Sequence, residues 1–277
     1  MVSRVARWSA ALAGIAFFAW SASAQTVLLQ IRPPIGDTLR MHLSQTVEMT
    51  GTTNGGKPTS LVTSFEVFTR AIAQQWTQSG TLMQTITDSV AMTPASPAAI
   101  ADLRRHAMQA KPVWLRVSTD GAMEMVDDGD PNSELRHLFG EMPAMLARTT
   151  VNVGEKWTRE MQIPLSSEPG AVGSVRATFR LDSLSRNGDI AFISMRGTMS
   201  RINTPGVAPA GPGYGTTGQL SGTIQIDRRL GWITDSKSSI IVNSTIASAS
   251  NRGGEPERSA MQVRTKITQW IRAMRAR

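Results

Sequence analysis

The sequence predicts a mainly β fold of the α+β kind: a long, curled antiparallel meander sheet or unclosed barrel, with two helices against its concave face. Three observations predict it. Apolar and polar residues alternate along most of the chain, residue pairs suited to tight turns separate the alternating segments, and only two stretches carry helical spacing. Several of the alternating segments run well past the usual five or six residues of a strand. Long twisted antiparallel strands curl, and a curled sheet has a concave face to fill.

The N-terminus comes first. Arg4 and Arg7 precede an uncharged run from Trp8 to Trp20, and Ala22-Ser23-Ala24 supplies the small-x-small pattern of a signal-peptidase site. The run is short of the roughly 20 residues that span a bilayer. Residues 1–24 therefore read as a secretory signal, with Gln25 the first residue of the exported chain. No cysteine occurs anywhere, so neither disulfides nor a lipid-bearing cysteine contribute. Residues 25–277 are expected to form a single β-rich domain with one core, in which two similar halves, about 25–150 and 151–277, are an alternative of equal weight.

Within that domain Leu39, Met41, Leu43, Val47 and Met49 alternate with Arg40, His42, Ser44 and Glu48. Val175, Ala177, Phe179 and Leu181 alternate with Arg176, Thr178, Arg180 and Asp182, and Met261, Val263, Thr265 and Ile267 with Gln262, Arg264, Lys266 and Thr268. Such strands bury one face and wet the other. Further strands are expected near 26–32, 59–73, 80–93, 112–118, 122–126, 156–164, 189–202, 218–227 and 231–248. Asp120-Gly121 and Asn187-Gly188 tolerate positive φ and mark hairpin turns. Asp227 to Gly231 reads as another bend, in which Arg228 and Arg229 are solvated turn residues.

The first expected helix begins at Ser96-Pro97, carries Ile100, Leu103 and Ala107 on one side, and is closed by Pro112. The second opens at Asp130-Pro131 and places Leu135, Leu138, Phe139, Met142 and Leu146 on one stripe, with Pro143 kinking or ending it. Residues 203–217, rich in proline and glycine and holding the lone Tyr214, read as a long loop suited to covering a concave face. Ser250 to Glu257 reads as a second polar link.

The leader, the long alternating strands, the central helical section, the Val151-Asn-Val-Gly-Glu-Lys-Trp157 segment after it and the Gly222 to Trp232 hairpin together resemble uncharacterised exported bacterial β-domain families. Their shape is similar to the unclosed barrel of Lol-type lipoprotein carriers. The resemblance spans most of the exported chain and rests on pattern rather than on a diagnostic motif. It implies a half-barrel holding acyl chains on its concave face.

Chemistry-bearing motifs are sparse. The three histidines, His42, His106 and His137, are scattered, and His42 and His137 fall on polar faces. No nucleophile elbow, phosphate loop or zinc-protease motif occurs. Asp127-Asp128-Gly129-Asp130 lacks the spacing of a calcium loop and fits a helix cap. Met123, Met125, Met142 and Met145 suit core packing better than a cuprous site. The tryptophans after the leader read as structural.

An exported, non-enzymatic carrier or binding protein for an apolar or lipidic ligand of the cell envelope is therefore expected, without metal or cofactor. The alternative is a structural or interaction module with a fully packed core. Expected ligand contacts are Leu43, Phe179, Ile193 and Trp232 on the strands and Tyr214 in the loop. The formal charge of +8, two units of it from Arg4 and Arg7, points away from nucleic acid and toward an anionic envelope surface. The Arg272 to Arg277 tail is first of all a solvated end.

Overall fold

The computed structural model describes residues 25–53, 56–94, 112–127, 141–164, 172–201, 215–250 and 257–274. They contain fourteen strands: β1 (Thr26–Val27), β2 (Thr38–Thr53), β3 (Thr59–Thr77), β4 (Gly80–Thr93), β5 (Val113–Val117), β6 (Met123–Asp127), β7 (Glu141–Met142), β8 (Val151–Asn152), β9 (Lys156–Pro164), β10 (Val172–Leu184), β11 (Ile190–Arg201), β12 (Gly215–Asp227), β13 (Trp232–Ser250) and β14 (Glu257–Met274). Twelve form one antiparallel sheet in the order β7-β6-β5-β4-β3-β2-β14-β13-β12-β11-β10-β9, and β1 pairs β8 in a small separate ladder. The meander expected from the turn pairs is present in each half of the chain, β2–β7 and β9–β14, and the first and last long strands join in the middle of the sheet.

The described residues contain no helix. The first expected helix falls in residues 95–111, outside the described set, as do Leu135, Leu138, Phe139, His106 and His137. The second is corrected at its C-terminal end. Met142 lies in β7 opposite Met123, and residues 143–150 are irregular. Met142 and Leu146 share the spacing of a helix, but Pro143 removes a backbone donor there and a strand partner is available. The expected loop is also shorter at its end, since Gly215, Thr216 and Thr217 open β12 opposite Thr245, Ser244 and Asn243.

Alternation decides which side chains meet. On β2 the residues Leu39, Met41 and Leu43 share a face with Ala71, Thr69 and Val67 of β3 and with Ala273 and Ile271 of β14. On β10 and β11, Phe179 faces Met195 and Leu181 faces Ile193. This apolar face is the inner one, because the core gathers on it: Leu39, Ala73, Met83, Val117, Phe179, Ile193, Ile224 and Ile226 are all buried in one cluster. On β2, β10, β12 and β14 the outer face is polar, with Arg40, Glu48, Arg176, Arg180, Gln219, Thr223, Arg264 and Lys266.

The β3–β4, β5–β6, β10–β11 and β12–β13 turns lie at one end of the sheet, and the chain's own first segment crosses that end. Val27, Leu29, Ile31 and Pro33 point inward and Leu28, Arg32 and Pro34 outward. The amide of Ile31 donates to Thr119 O (2.9 Å), and that of Arg32 to Gly231 O (2.8 Å). Thr119 belongs to the β5–β6 turn and Gly231 to the β12–β13 turn, six strand steps apart in the sheet. Consecutive residues reach both, so the sheet curls around on itself at this end. Gly231 sits at φ +57°, and a Cβ there would lie 2.2 Å from Arg32 O. Glycine is required by that approach as well as by the turn. Trp76 donates its indole N–H to Pro33 O (3.0 Å), and the Arg32 guanidinium lies 4.5 Å from its ring centroid.

The sheet's two edges, β7 and β9, share no ladder. Residues 145–148 bridge them at the turn end instead. The amides of Met145 and Leu146 both donate to Asp120 O (3.0 and 2.9 Å) on the β6 side. From the β9 side, Trp157 Nε1 donates to Met145 O (2.8 Å), and the Arg159 guanidinium donates to Leu146 O. The result is an unclosed barrel with a capped bottom.

Candidate ligand-binding face

Away from the cap, the concave face changes character along each strand. Leu39 on β2 is 7% exposed and Met49, ten residues further up the same face, is 41% exposed. On β3 the change runs from Ala73 at 1% to Leu61 at 57%. Between these limits Leu43, Val47, Phe65, Val67, Ile240, Ile267 and Ile271 are half-buried. This part of the sheet, formed by β13, β14, β2, β3 and β4, is an apolar surface that the cap does not cover.

Met41, Met49, Met92 and Met261 lie on it, and two buried core methionines of β11 flank it. Met195 and Met199 of β11 lie over Gly222 and Gly218 of β12, their register partners; a Cβ on either glycine would stand 2.4 or 2.9 Å from the thioether methyl. Met261 lies over Gly51 in the same way, at 3.0 Å. The glycines let unbranched side chains lie flat against the wall. Thioethers adapt to irregular apolar shapes more readily than branched residues do.

The expected ligand contacts separate by height along the strands. Leu43 lies on the half-exposed part of the concave face. Phe179 and Ile193 point to the same side but lie low, in the packed core beneath the cap; Trp232 is buried there too, although its partner Asp227 puts it in the opposite phase to the inward Ile233, and Trp157 of β9 stacks on Phe179 with ring centroids 5.8 Å apart. Tyr214 is outside the described residues.

Two features, one on the face and one at the seam, escaped the sequence reading. Gln45 and Gln269 are direct register partners across β2 and β14, on the apolar side of both strands, with Phe65 and Ser238 as their outer neighbours. A polar residue in the apolar phase of two separate strands is the signal that finds them. The second is Asp120. Burial pushes its carboxyl up, but hydrogen bonds from Ser118 and Arg148, the Ala122 backbone and the Arg148 charge outweigh this, so its pKa lies below the ordinary carboxylate value. Arg148 Nε stands 3.2 Å from Asp120 Oδ2 and Arg159 3.8 Å from it. Arg159, whose position opposite Ala177 turns it to the concave side, is thereby occupied at the seam.

The remaining singled-out residues are structural in their contacts. His42 is on the convex face, stacked on Phe68 at 4.3 Å. Trp270 donates to Asp235 Oδ2 (3.0 Å) under the Arg272 guanidinium. Arg228 donates to Gly188 O (2.7 Å) and Arg229 lies 3.7 Å from Asp189, so the arginine bend ties two neighbouring turns together. Among the described residues no group of three His, Asp or Glu side chains converges on a metal position.

No protein-family model matches the chain, and no curated protein matches it. Solved structures to which it is similar include an outer membrane channel from Pseudomonas putida F1, at 9% identity over 87% of this chain and 96% of that one, with a TM-score of 0.21. OpdQ of Pseudomonas aeruginosa is matched at 8% identity over 87% of this chain and 100% of that one, with a TM-score of 0.21. The secretin-domain β-barrel of InvG from the Salmonella injectisome is matched at 12% identity over 87% of this chain and 63% of that one, with a TM-score of 0.18.

Proposed function

We propose that this protein is an exported, non-enzymatic carrier or binding protein for an apolar or lipidic ligand of the cell envelope. One observation carries the reading: the concave face passes from a packed core at Leu39 and Ala73 to an open apolar surface at Met49 and Leu61 on continuous strands. A face that served only to hold the sheet together would be buried along its whole length, because exposed contiguous apolar surface is costly and marks a binding site. The methionine lining suits ligands of variable shape. The leader-like residues 1–24 favour export, and the resemblance to the unclosed barrel of Lol-type carriers agrees with an acyl ligand.

The test is mass spectrometry of lipids extracted from protein purified from its native envelope. A specific co-purifying lipid, enriched over the membrane from which it came, is the expected result. Protein that carries no enriched species and takes up no apolar dye would favour a structural or interaction module instead.

A further inference from the structure

Taking the carrier reading as given, the concave face also carries a statement about the ligand's polar group. From the Met41 row to the Met49 row, β2, β3, β4, β12, β13 and β14 place no charged side chain on this face. Arg159, inward on β9, is held by Leu146 O and Asp120 at the seam. At mid-height stands the Gln45–Gln269 pair, half-buried, with Ser238 beside it. Among the described residues neither carboxamide has a side-chain hydrogen-bond partner. Each offers N–H donors and a carbonyl acceptor to a ligand on this apolar face, and a ligand that covers them must replace the water they can reach. Above the pair lie the Val47, Ile240 and Ile267 row and then Met49. Gln45 to Gly51 covers six residues of strand, about 20 Å.

The geometry points to an acyl lipid whose polar group is an uncharged ester or amide. Its carbonyl accepts from Gln45 and Gln269, and its chain lies over Val47, Ile240 and Ile267 toward the open rim. An ionised carboxylate at the same depth meets no cation, and burying it unpaired is far less favourable than burying a carbonyl. The face therefore selects a neutral acyl ester or amide over the free fatty acid.

The test uses the uncharged dye Nile red bound to the full exported chain, displaced by 1-monopalmitoylglycerol or by palmitate at pH 8, each below its critical micelle concentration. The expected result is displacement by the ester at about tenfold lower concentration than by palmitate, because a carboxylate without a cation is the costlier group to bring into an apolar site. In Q45L/Q269L the dye still binds and the ester is needed at about tenfold higher concentration than with the wild-type chain, the factor that two lost neutral hydrogen bonds supply. Should that variant fail to fold, as judged by circular dichroism, Q45N/Q269N shortens both carboxamides without removing their chemistry, and is expected to weaken the ester as well. Equal displacement by the two lipids, stronger displacement by palmitate, or an ester concentration unchanged in the folded variant overturns the neutral-lipid inference while leaving the carrier reading in place. Failure of the wild-type chain to bind Nile red overturns both.

Discussion

Leu29→Ala tests whether the first segment is a true cap or a tail resting on the sheet. Leu29 is 1% exposed at the mouth of the curled sheet, between Val27 and Ile31, while its neighbour Leu28 is 40% exposed on the other side of the same extended segment. Truncation of Leu29 removes three carbons from the core. At about 0.8 kcal/mol per buried methylene the transfer loss is about 2.4 kcal/mol. The cavity adds to this, because the neighbours are strands whose positions are fixed by ladders, so the total is expected at about 3 to 4 kcal/mol. Leu28→Ala, on the same backbone with the same chemistry, is expected to change stability by less than about 0.5 kcal/mol. Urea unfolding followed by tryptophan fluorescence measures both, with the midpoint compared at constant slope. Equal midpoints for the two variants would show that residues 26–33 do not close the barrel end, and the curl inferred from the Thr119 and Gly231 contacts would lose its support.

Gly231→Ala is expected to cost at least about 2 kcal/mol, since the new Cβ meets Arg32 O at 2.2 Å in addition to the left-handed backbone. Gly154→Ala, at φ +88° but facing open space, is expected to cost only about 1 to 2 kcal/mol, and thermal unfolding of the pair separates clash from strain. Asp120 has a lowered pKa in the folded protein, so it contributes stability above the ordinary carboxylate value of 3.8 that is lost as the pH falls through its lowered folded value. Asp120→Asn is therefore expected to be less stable than wild type at neutral pH and to converge on it in acid; a constant difference across the acid range would show that the carboxylate charge is not what holds the seam. Met49→Lys, on the exposed part of the concave face, is expected to leave urea stability within about 0.5 kcal/mol while weakening Nile red binding at least tenfold, and unchanged binding would move the ligand elsewhere.

The sequence disclosed faces more readily than heights. Alternation at Val175, Ala177, Phe179 and Leu181 told which side of β10 is inward, and Asn187-Gly188 told where the chain returns, with Gly188 at φ +76°. Nothing in a period of two tells how far along a strand the core ends. Phe179, Ile193 and Trp232 were thus expected at the ligand, whereas the cap that covers them is built by residues more than a hundred positions away. The cap's hydrogen bonds run to turn carbonyls rather than to a strand, so only Thr26 and Val27 of that segment belong to a ladder. At the seam, Met142 and Leu146 satisfied a helical spacing, and the competing partner, Met123, became visible only when β7 was seen beside β6. Gln45 and Gln269 were legible one strand at a time as interruptions, but their pairing depends on β14 lying next to β2.

That last adjacency bears on how the chain assembles. The first long strand, β2, takes as its neighbour on one side β14, with Lys266 donating to Glu48 across 218 positions of sequence. Until the final strand arrives, β2 presents a bare row of amides and carbonyls along sixteen residues, with Leu39, Leu43 and Val47 exposed beside it. Contacts of such long range are slow to form, and an unpaired edge is what joins one chain to another in the interval. The two half-meanders can each pair locally as they emerge, but neither encloses anything alone. The concave face becomes an enclosed surface only when β14 is in place, so a molecule stopped before Glu257 would be an open apolar sheet and a target for chaperones or proteases.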